Sequence, residues 1–164
     1  MTQNFRLSQA LGLVGWLALA FVAAAVGGLA AADAPAFYAQ LVRPSWAPPA
    51  GAFGPVWTVL YTLMGIAAWL VWRERKRLPV KPALVLFAVQ LAVNALWSWF
   101  FFAWKSGAGA FVAIVLLLAL IVATLVAFYR VRPAAGLLLV PYLAWVCLAT
   151  ALSWTVWRNN PTLL

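Results

Sequence analysis

Any chemistry in this chain has to be done almost without acids, bases or metal ligands. Of its 164 residues only Asp33 and Glu74 are acidic, histidine is absent, and Cys147 is the one cysteine. A Ser-His-Asp triad, a His/Cys zinc site and a paired-carboxylate acid/base site each need residues that are missing. A lone cysteine also excludes a disulfide within the chain. What the sequence offers instead is eleven tryptophans, four tyrosines and ten phenylalanines. Among them stand a few uncharged polar residues inside apolar runs. Gln90, Asn94, Trp97 and Ser98 fall on one helical stripe. Trp57 and Tyr61 lie one turn apart beside Thr58 and Thr62, and Tyr142 and Trp145 are i, i+3 neighbours. Trp16, Trp72, Trp104 and Trp157 sit near the ends of their runs, as belt residues do, but Trp145 lies well inside. Its indole N–H therefore needs a buried partner or a ligand. Aromatic walls with a few hydrogen-bonding groups suit a small-molecule pocket, and stacking favours a large planar or polycyclic ligand. Amides and hydroxyls also bond across packed helices, so Gln90 and Asn94 read equally well as interhelical ties.

The elements that carry these residues follow from hydropathy. Hydrophobic residues make up 68% of the chain and charged ones 8%, where a soluble domain has about half and about a quarter. Five apolar runs stand out, at roughly residues 10–32, 53–72, 83–104, 108–129 and 134–157. Each approaches the ~20 residues a helix needs to cross the hydrocarbon layer. Stretches such as Phe111 to Ala127 do not alternate polar with apolar residues, which argues against barrel strands. The expected fold is an all-α integral membrane protein, a five-transmembrane-helix bundle occupying residues 1–164 as a single transmembrane domain. The first run, ending in Ala30, Ala31 and Ala32, also reads as a signal peptide, but it exceeds the usual ~7–15-residue apolar core and favours a retained helix.

Charge sets the expected orientation. The net charge is +9. Arg6, Arg73, Arg75, Lys76, Arg77, Lys81, Arg130 and Arg132 fall on one side, and Arg43, Lys105 and Arg158 on the other. Basic residues favour the cytoplasmic side, placing the N-terminus inside and the C-terminus and first loop outside. With no soluble domain to carry it, the positive charge is a topology signal and no nucleic-acid partner is expected. The Arg73–Arg77 cluster also suits anionic lipid heads.

One connection is long. Residues 33–52 contain Pro35, Pro44, Pro48, Pro49 and Gly51, which prevent a regular helix throughout, and carry Phe37, Tyr38 and Trp46, followed by Phe53. A ~20-residue stiffened, aromatic loop reads as a lid or binding loop; an interfacial belt reads the same residues as well. In the third run Ala88 and Ala92 form a small-xxx-small pair, joined by Ala95, suited to close helix approach within the bundle or in a homodimer.

The segments Arg43-Pro44-Ser45-Trp46-Ala47-Pro48-Pro49, Val56-Trp57-Thr58-Val59-Leu60-Tyr61 with Met64-Gly65, Gln90-Leu91-x-x-Asn94-x-x-Trp97-Ser98 with Phe101-Phe102, and Pro141-Tyr142-Leu143-x-Trp145 with Ala149-Thr150 resemble the translocator protein family, also called tryptophan-rich sensory proteins. The resemblance runs from about Tyr38 to Trp157. It implies a five-helix bundle, usually dimeric, with a cavity closed by the first loop. It implies ligands such as porphyrins and haem, and in some members cholesterol and isoquinoline- or benzodiazepine-type drugs. By motif, Tyr38, Trp46, Trp57, Tyr61, Asn94, Trp97, Ser98, Trp145 and Ala149 would line that cavity. The tryptophans matching Trp57 and Trp145 are tied, in some bacterial relatives, to light-dependent protoporphyrin breakdown. Ser153 departs from the family pattern, which often has Asn there, and shortens a hydrogen-bonding arm near the pocket.

Three functions follow as expectations: a membrane receptor or sensory protein for tetrapyrroles, an enzyme-like photodegradation with Trp57 and Trp145 as electron-transfer partners, and facilitated transport of tetrapyrroles or lipids. Proton-coupled pumping lacks its intramembrane carboxylate or histidine. No obligatory cofactor is expected, with porphyrin or haem as ligand. Without histidine a haem lacks its commonest axial ligand, so stacking and shape would hold it.

Overall fold

The computed structural model describes residues 2–164, with side chains described from Leu7 onward; Arg6, counted above with the basic side, lies outside them. In chain order the elements are α1 (Thr2–Ala30), α2 (Ala34–Gln40), α3 (Phe53–Arg73), α4 (Lys81–Ser98), a π-helical turn (Trp99–Ala103), α5 (Gly107–Val131), α6 (Pro133–Leu137) and α7 (Val140–Asn159). No strand occurs among the described residues. Five spans are long and apolar enough to cross a membrane: Leu7–Ala30, Ala50–Lys76, Lys81–Ala103, Gly107–Val131 and Pro133–Asn159. Each is apolar on nearly all faces, as helices packed on one side and wrapped by lipid on the other must be. On α1 this leaves Leu11, Val14, Val22 and Leu29 exposed on the outside of the bundle.

Helix α1 packs between α3 and α4, and α5 between α4 and α7. The α1–α3 contact is close because of Gly65. A Cβ there would stand 2.7 Å from Leu17 Cδ2 and 3.0 Å from Leu17 Cα. The backbone atom cannot swing aside, so Gly65→Ala is expected to cost about 1–3 kcal/mol as an overpacking change. Thermal unfolding in one detergent checks this, and an unchanged midpoint would mean that the two helices separate freely.

Prolines set the element boundaries more finely than hydropathy does. The last apolar run is not one helix: the chain turns at Leu138–Leu139 between α6 and α7. Pro141 has no N–H to bond the carbonyl of Leu137, and it occupies the first turn of α7, where that loss is harmless. Pro35 acts likewise at the start of α2, so seven residues of the long connection are helical. The third span ends in the π turn, closed by Trp104 N–H to the Trp99 carbonyl at 2.8 Å.

The two ends of the bundle are tied differently. At one, Arg132 Nη1 lies 3.4 Å from Glu74 Oε1, joining the α3–α4 loop to the α5–α6 turn. Both partners are partly exposed, so the pair is worth little energetically. It does show that two of the basic clusters share one end. At the other end, the long connection is bonded to the residue that follows α7.

Candidate functional site

A cavity of about 600 Å³ opens between α1, α3, α4 and α7 beneath α2. Tyr61 and Asn94 on its floor begin a polar relay that links three helices. Tyr61 Oη donates to Asn94 Oδ1 at 2.8 Å, and Asn94 Nδ2 donates to Tyr142 Oη at 2.6 Å. Tyr142 Oη donates in turn to Gln90 Oε1 at 3.0 Å, and Gln90 Nε2 lies 3.9 Å from Met64 Sδ. Gln90, Asn94 and Tyr142 are each 1% exposed. Buried amides and hydroxyls require such partners, and here every amide finds one on another helix. Asn94 ties the helices and also lines the cavity.

The walls are aromatic. Trp57 on α3 leans on Tyr61, with ring centroids 5.5 Å apart, and on Tyr142 at 6.2 Å. Trp97 on α4 stacks on Phe101 at 5.6 Å and 29° between planes. Trp97 Nε1 is buried and has no hydrogen-bond partner among the described residues. A buried indole N–H without a partner is uncommon, and this one belongs to a cavity-lining residue.

The roof is a folded segment with its own anchors. Phe37 on α2 packs edge-on against Phe101 at 6.1 Å and Phe102 at 6.4 Å, with Lys105 Nζ 5.1 Å from its ring. Tyr38 lines the cavity, donates through Oη to the Pro48 carbonyl at 2.9 Å, and carries the Arg43 guanidinium 4.5 Å above its ring. Asn160 clamps the segment's end. Its Oδ1 accepts from Val42 N–H at 2.8 Å, while Nδ2 donates to the carbonyls of Val42 at 3.1 Å and Val156 at 2.8 Å.

Of the residues expected at the pocket, Tyr38, Trp57, Tyr61, Asn94, Trp97, Ser98 and Ala149 line this cavity. Trp46 and Trp145 are not brought to it. Trp46 sits in the turn closed by Ala47 N–H to the Pro44 carbonyl and is 47% exposed. Trp145 packs edge-on against Phe53, a cavity-lining residue, at 5.8 Å, so the phenyl ring takes the place at the wall. Its Nε1 is buried without a partner among the described residues. Ala88 and Ala92 lie exposed on the outer face of α4, away from the cavity.

The sequence model of the TspO/MBR family matches residues 16–158. The chain belongs to the TspO/MBR family. It is similar to the tryptophan-rich protein TspO of Chlorobaculum tepidum, 47% identical over 126 residues that cover 76% of this chain and 80% of that one. To the human translocator protein it is 43% identical over 126 residues, covering 76% and 75%. To the tryptophan-rich sensory protein of Cereibacter sphaeroides it is 38% identical over 124 residues, covering 76% and 77%. Family membership and the five apolar spans make the chain an integral, multi-pass membrane protein.

Within this TspO/MBR chain, three contributors to the site were not foreseen from sequence. Phe21, Gly27 and Gly28 of α1 form a wall. The paired glycines near the end of an apolar helix were the available signal, since a Cβ on Gly27 would lie 3.1 Å from Ser98 Oγ. Phe53 was read only as a loop anchor. Asn160 left no signal, because its partner Val42 is 118 residues away. Ser153 lines the cavity.

Proposed function

We propose that this TspO/MBR protein is a membrane receptor or sensory protein that takes a tetrapyrrole, of the protoporphyrin IX or haem type, into the cavity beneath α2. The observation that carries this reading is the unpartnered Trp97 Nε1 in an aromatic chamber of about 600 Å³. Flat rings at Trp57, Tyr61 and Trp97 favour a planar macrocycle by stacking. The free indole N–H would bond a peripheral carboxylate. Sterols and isoquinoline-type drugs fit the apolar walls but use that donor less well. The N-terminus is assigned to the cytoplasm, and the roof with the C-terminus to the outside, from the unequal basic charge. A homodimer is assigned to the exposed Ala88–Ala92 face of α4.

Iron would gain no axial bond here. Tyr38 Oη already serves the Pro48 carbonyl, and Tyr61 Oη is committed to the relay. Titrating protoporphyrin IX and haem in the dark, followed by tryptophan quenching, tests the reading. Both are expected to bind saturably with similar affinity. Trp97→Phe, which keeps the stacking and removes the N–H, is expected to weaken each by about tenfold, the worth of one hydrogen bond to a charged group. Absence of saturable binding sinks the proposal, and a strong-field six-coordinate haem spectrum sinks its ligand-free iron.

A second reading draws on the contact of Trp57 with both Tyr61 and Tyr142, which supplies oxidisable rings beside a photoexcited porphyrin. Light-dependent loss of the bound porphyrin's absorption in the wild type, absent in Trp57→Phe, is the result that separates a degrading enzyme from a receptor.

A further inference from the structure

At the end of the bundle opposite the roof, the start of α1 and the α3–α4 loop enclose a cleft of about 280 Å³, bordered by Ser8, Gln9, Arg73, Glu74, Arg75, Lys76 and Arg77. Four cations converge there around one acid, Glu74. The chain has only two acidic residues, and Glu74 reaches across to Arg132, while Asp33 precedes α2 at the roof end. Two of the guanidiniums are held in place by indoles: Arg73 lies 4.8 Å from the Trp69 ring centre and Arg75 3.3 Å from that of Trp72. Arg75 Nη1 also donates to the Trp72 carbonyl at 3.0 Å. Arginines fixed in this way are preorganised for an anion, because less side-chain freedom is lost on binding.

The cleft also holds an acceptor. Gln9 Oε1 is buried with no hydrogen-bond partner among the described residues, although the Gln9 carbonyl is used by Trp69 Nε1 at 3.0 Å. A phosphate alone would leave that acceptor unsatisfied, whereas a phosphate carrying a hydroxylated substituent would satisfy both sides. The apolar surroundings favour a lipid over a soluble phosphate. Leu7, Leu11 and Leu78, beside the cleft-lining residues in sequence, are 59%, 62% and 43% exposed and would meet acyl chains. Trp69 and Trp72 stand one turn apart at the end of the span, the depth at which aromatic residues mark the headgroup layer.

We propose that this cleft is a headgroup site for an anionic, hydroxyl-bearing glycerophospholipid of the phosphatidylglycerol type. The four cations hold the phosphate, and Gln9 Oε1 accepts from the headgroup hydroxyl. The site is separate from the cavity beneath α2 and shares no lining residue with it.

Native mass spectrometry of the full-length protein in detergent, with phosphatidylglycerol, phosphatidic acid or phosphatidylcholine added, tests this. Phosphatidylglycerol is expected to be retained best and phosphatidylcholine least. Lys76→Gln with Arg77→Gln, both exposed, is expected to lower phosphatidylglycerol retention about twenty-five-fold, from about five-fold for each basic residue near a membrane surface. Lys81→Gln with Arg130→Gln removes the same charge outside the cleft and is expected to leave retention within about two-fold. Equal losses in the two double variants would reduce the effect to general surface charge and overturn the site. Gln9→Leu is expected to erase the preference for phosphatidylglycerol over phosphatidic acid; a preference that survives overturns the hydroxyl contact. Competition by millimolar glycerol 3-phosphate as effective as the lipid would assign the cleft to a soluble phosphate and overturn the lipid.

Discussion

Asn94→Leu is expected to lower the thermal midpoint by roughly 2–12 °C, from about 1–3 kcal/mol for a stranded buried polar group at about 2–4 °C per kcal/mol. The substitution nearly conserves volume, so the loss comes from hydrogen bonding and not from a cavity. It leaves Tyr61 Oη without its acceptor and Tyr142 Oη without its incoming donor, while Tyr142 can still donate to Gln90. In lipid the unfolded reference also finds partners, which pulls the cost toward the lower end. The decisive comparison is with the Tyr61→Phe, Asn94→Leu double variant. Removing both partners is nearly neutral where removing one is not. The double variant should therefore recover most of the lost stability. If it is additive instead, each residue acts through packing, and the relay is not a unit. Dark binding of protoporphyrin IX gives an independent readout. The double variant regains stability without regaining the polar floor, so the two measurements separate a tie between helices from a ligand contact.

The relay also shows what sequence could and could not supply. An amide at membrane depth is costly anywhere but facing protein, so Gln90 and Asn94 mark the inward face of α4 in the sequence itself. Tyr142 was singled out with Trp145 at i, i+3, but spacing along one helix cannot say which of the two reaches the centre. In the fold, Tyr142 joins the relay and Trp145 is turned behind Phe53. That outcome depends on a phenyl ring at the start of a different helix, and no periodicity within α7 contains it.

The long connection was legible in kind and not in form. Its prolines, counted as helix breakers, do exclude a continuous helix, but Pro35 is in the first turn of α2, where a proline lacks nothing. The same rule, applied at Pro141, gives the α6–α7 turn that hydropathy smoothed into a single span. Trp46 shows the opposite limit. The family resemblance placed it at the pocket, but it sits in the turn that closes on Pro44, half exposed, and does not line the cavity. Hydropathy and polarity thus located the helices and the floor of the site, whereas its roof is decided by contacts between segments distant in sequence.

Asn160→Ala is expected to speed ligand release by roughly 5- to 30-fold, since two hydrogen bonds of about 0.5–1 kcal/mol each hold Val42 of the roof to the end of α7. Asn160 is 4% exposed, and its amide serves both the N–H and the carbonyl of Val42, so no water replaces it without rearrangement. The Phe37 packing lies on the far side of Leu41 and keeps α2 seated, while the Tyr38–Pro48 bond spans Val42 and ties the following loop back to α2. The segment would then swing about α2 without unfolding. A gate and a wall differ in kinetic signature. If the segment only gates the cavity, both association and dissociation accelerate with the open fraction and the dissociation constant changes little. If it is a wall that contacts ligand, dissociation alone accelerates and affinity falls by the same factor. Because Tyr38 lines the cavity and Val42 does not, Asn160→Ala should follow the first pattern and Tyr38→Ala the second. Stopped-flow quenching with protoporphyrin IX reads both rates. Exchange within two-fold of wild type in Asn160→Ala would mean that ligand enters elsewhere, between the exposed faces of α1 and α3.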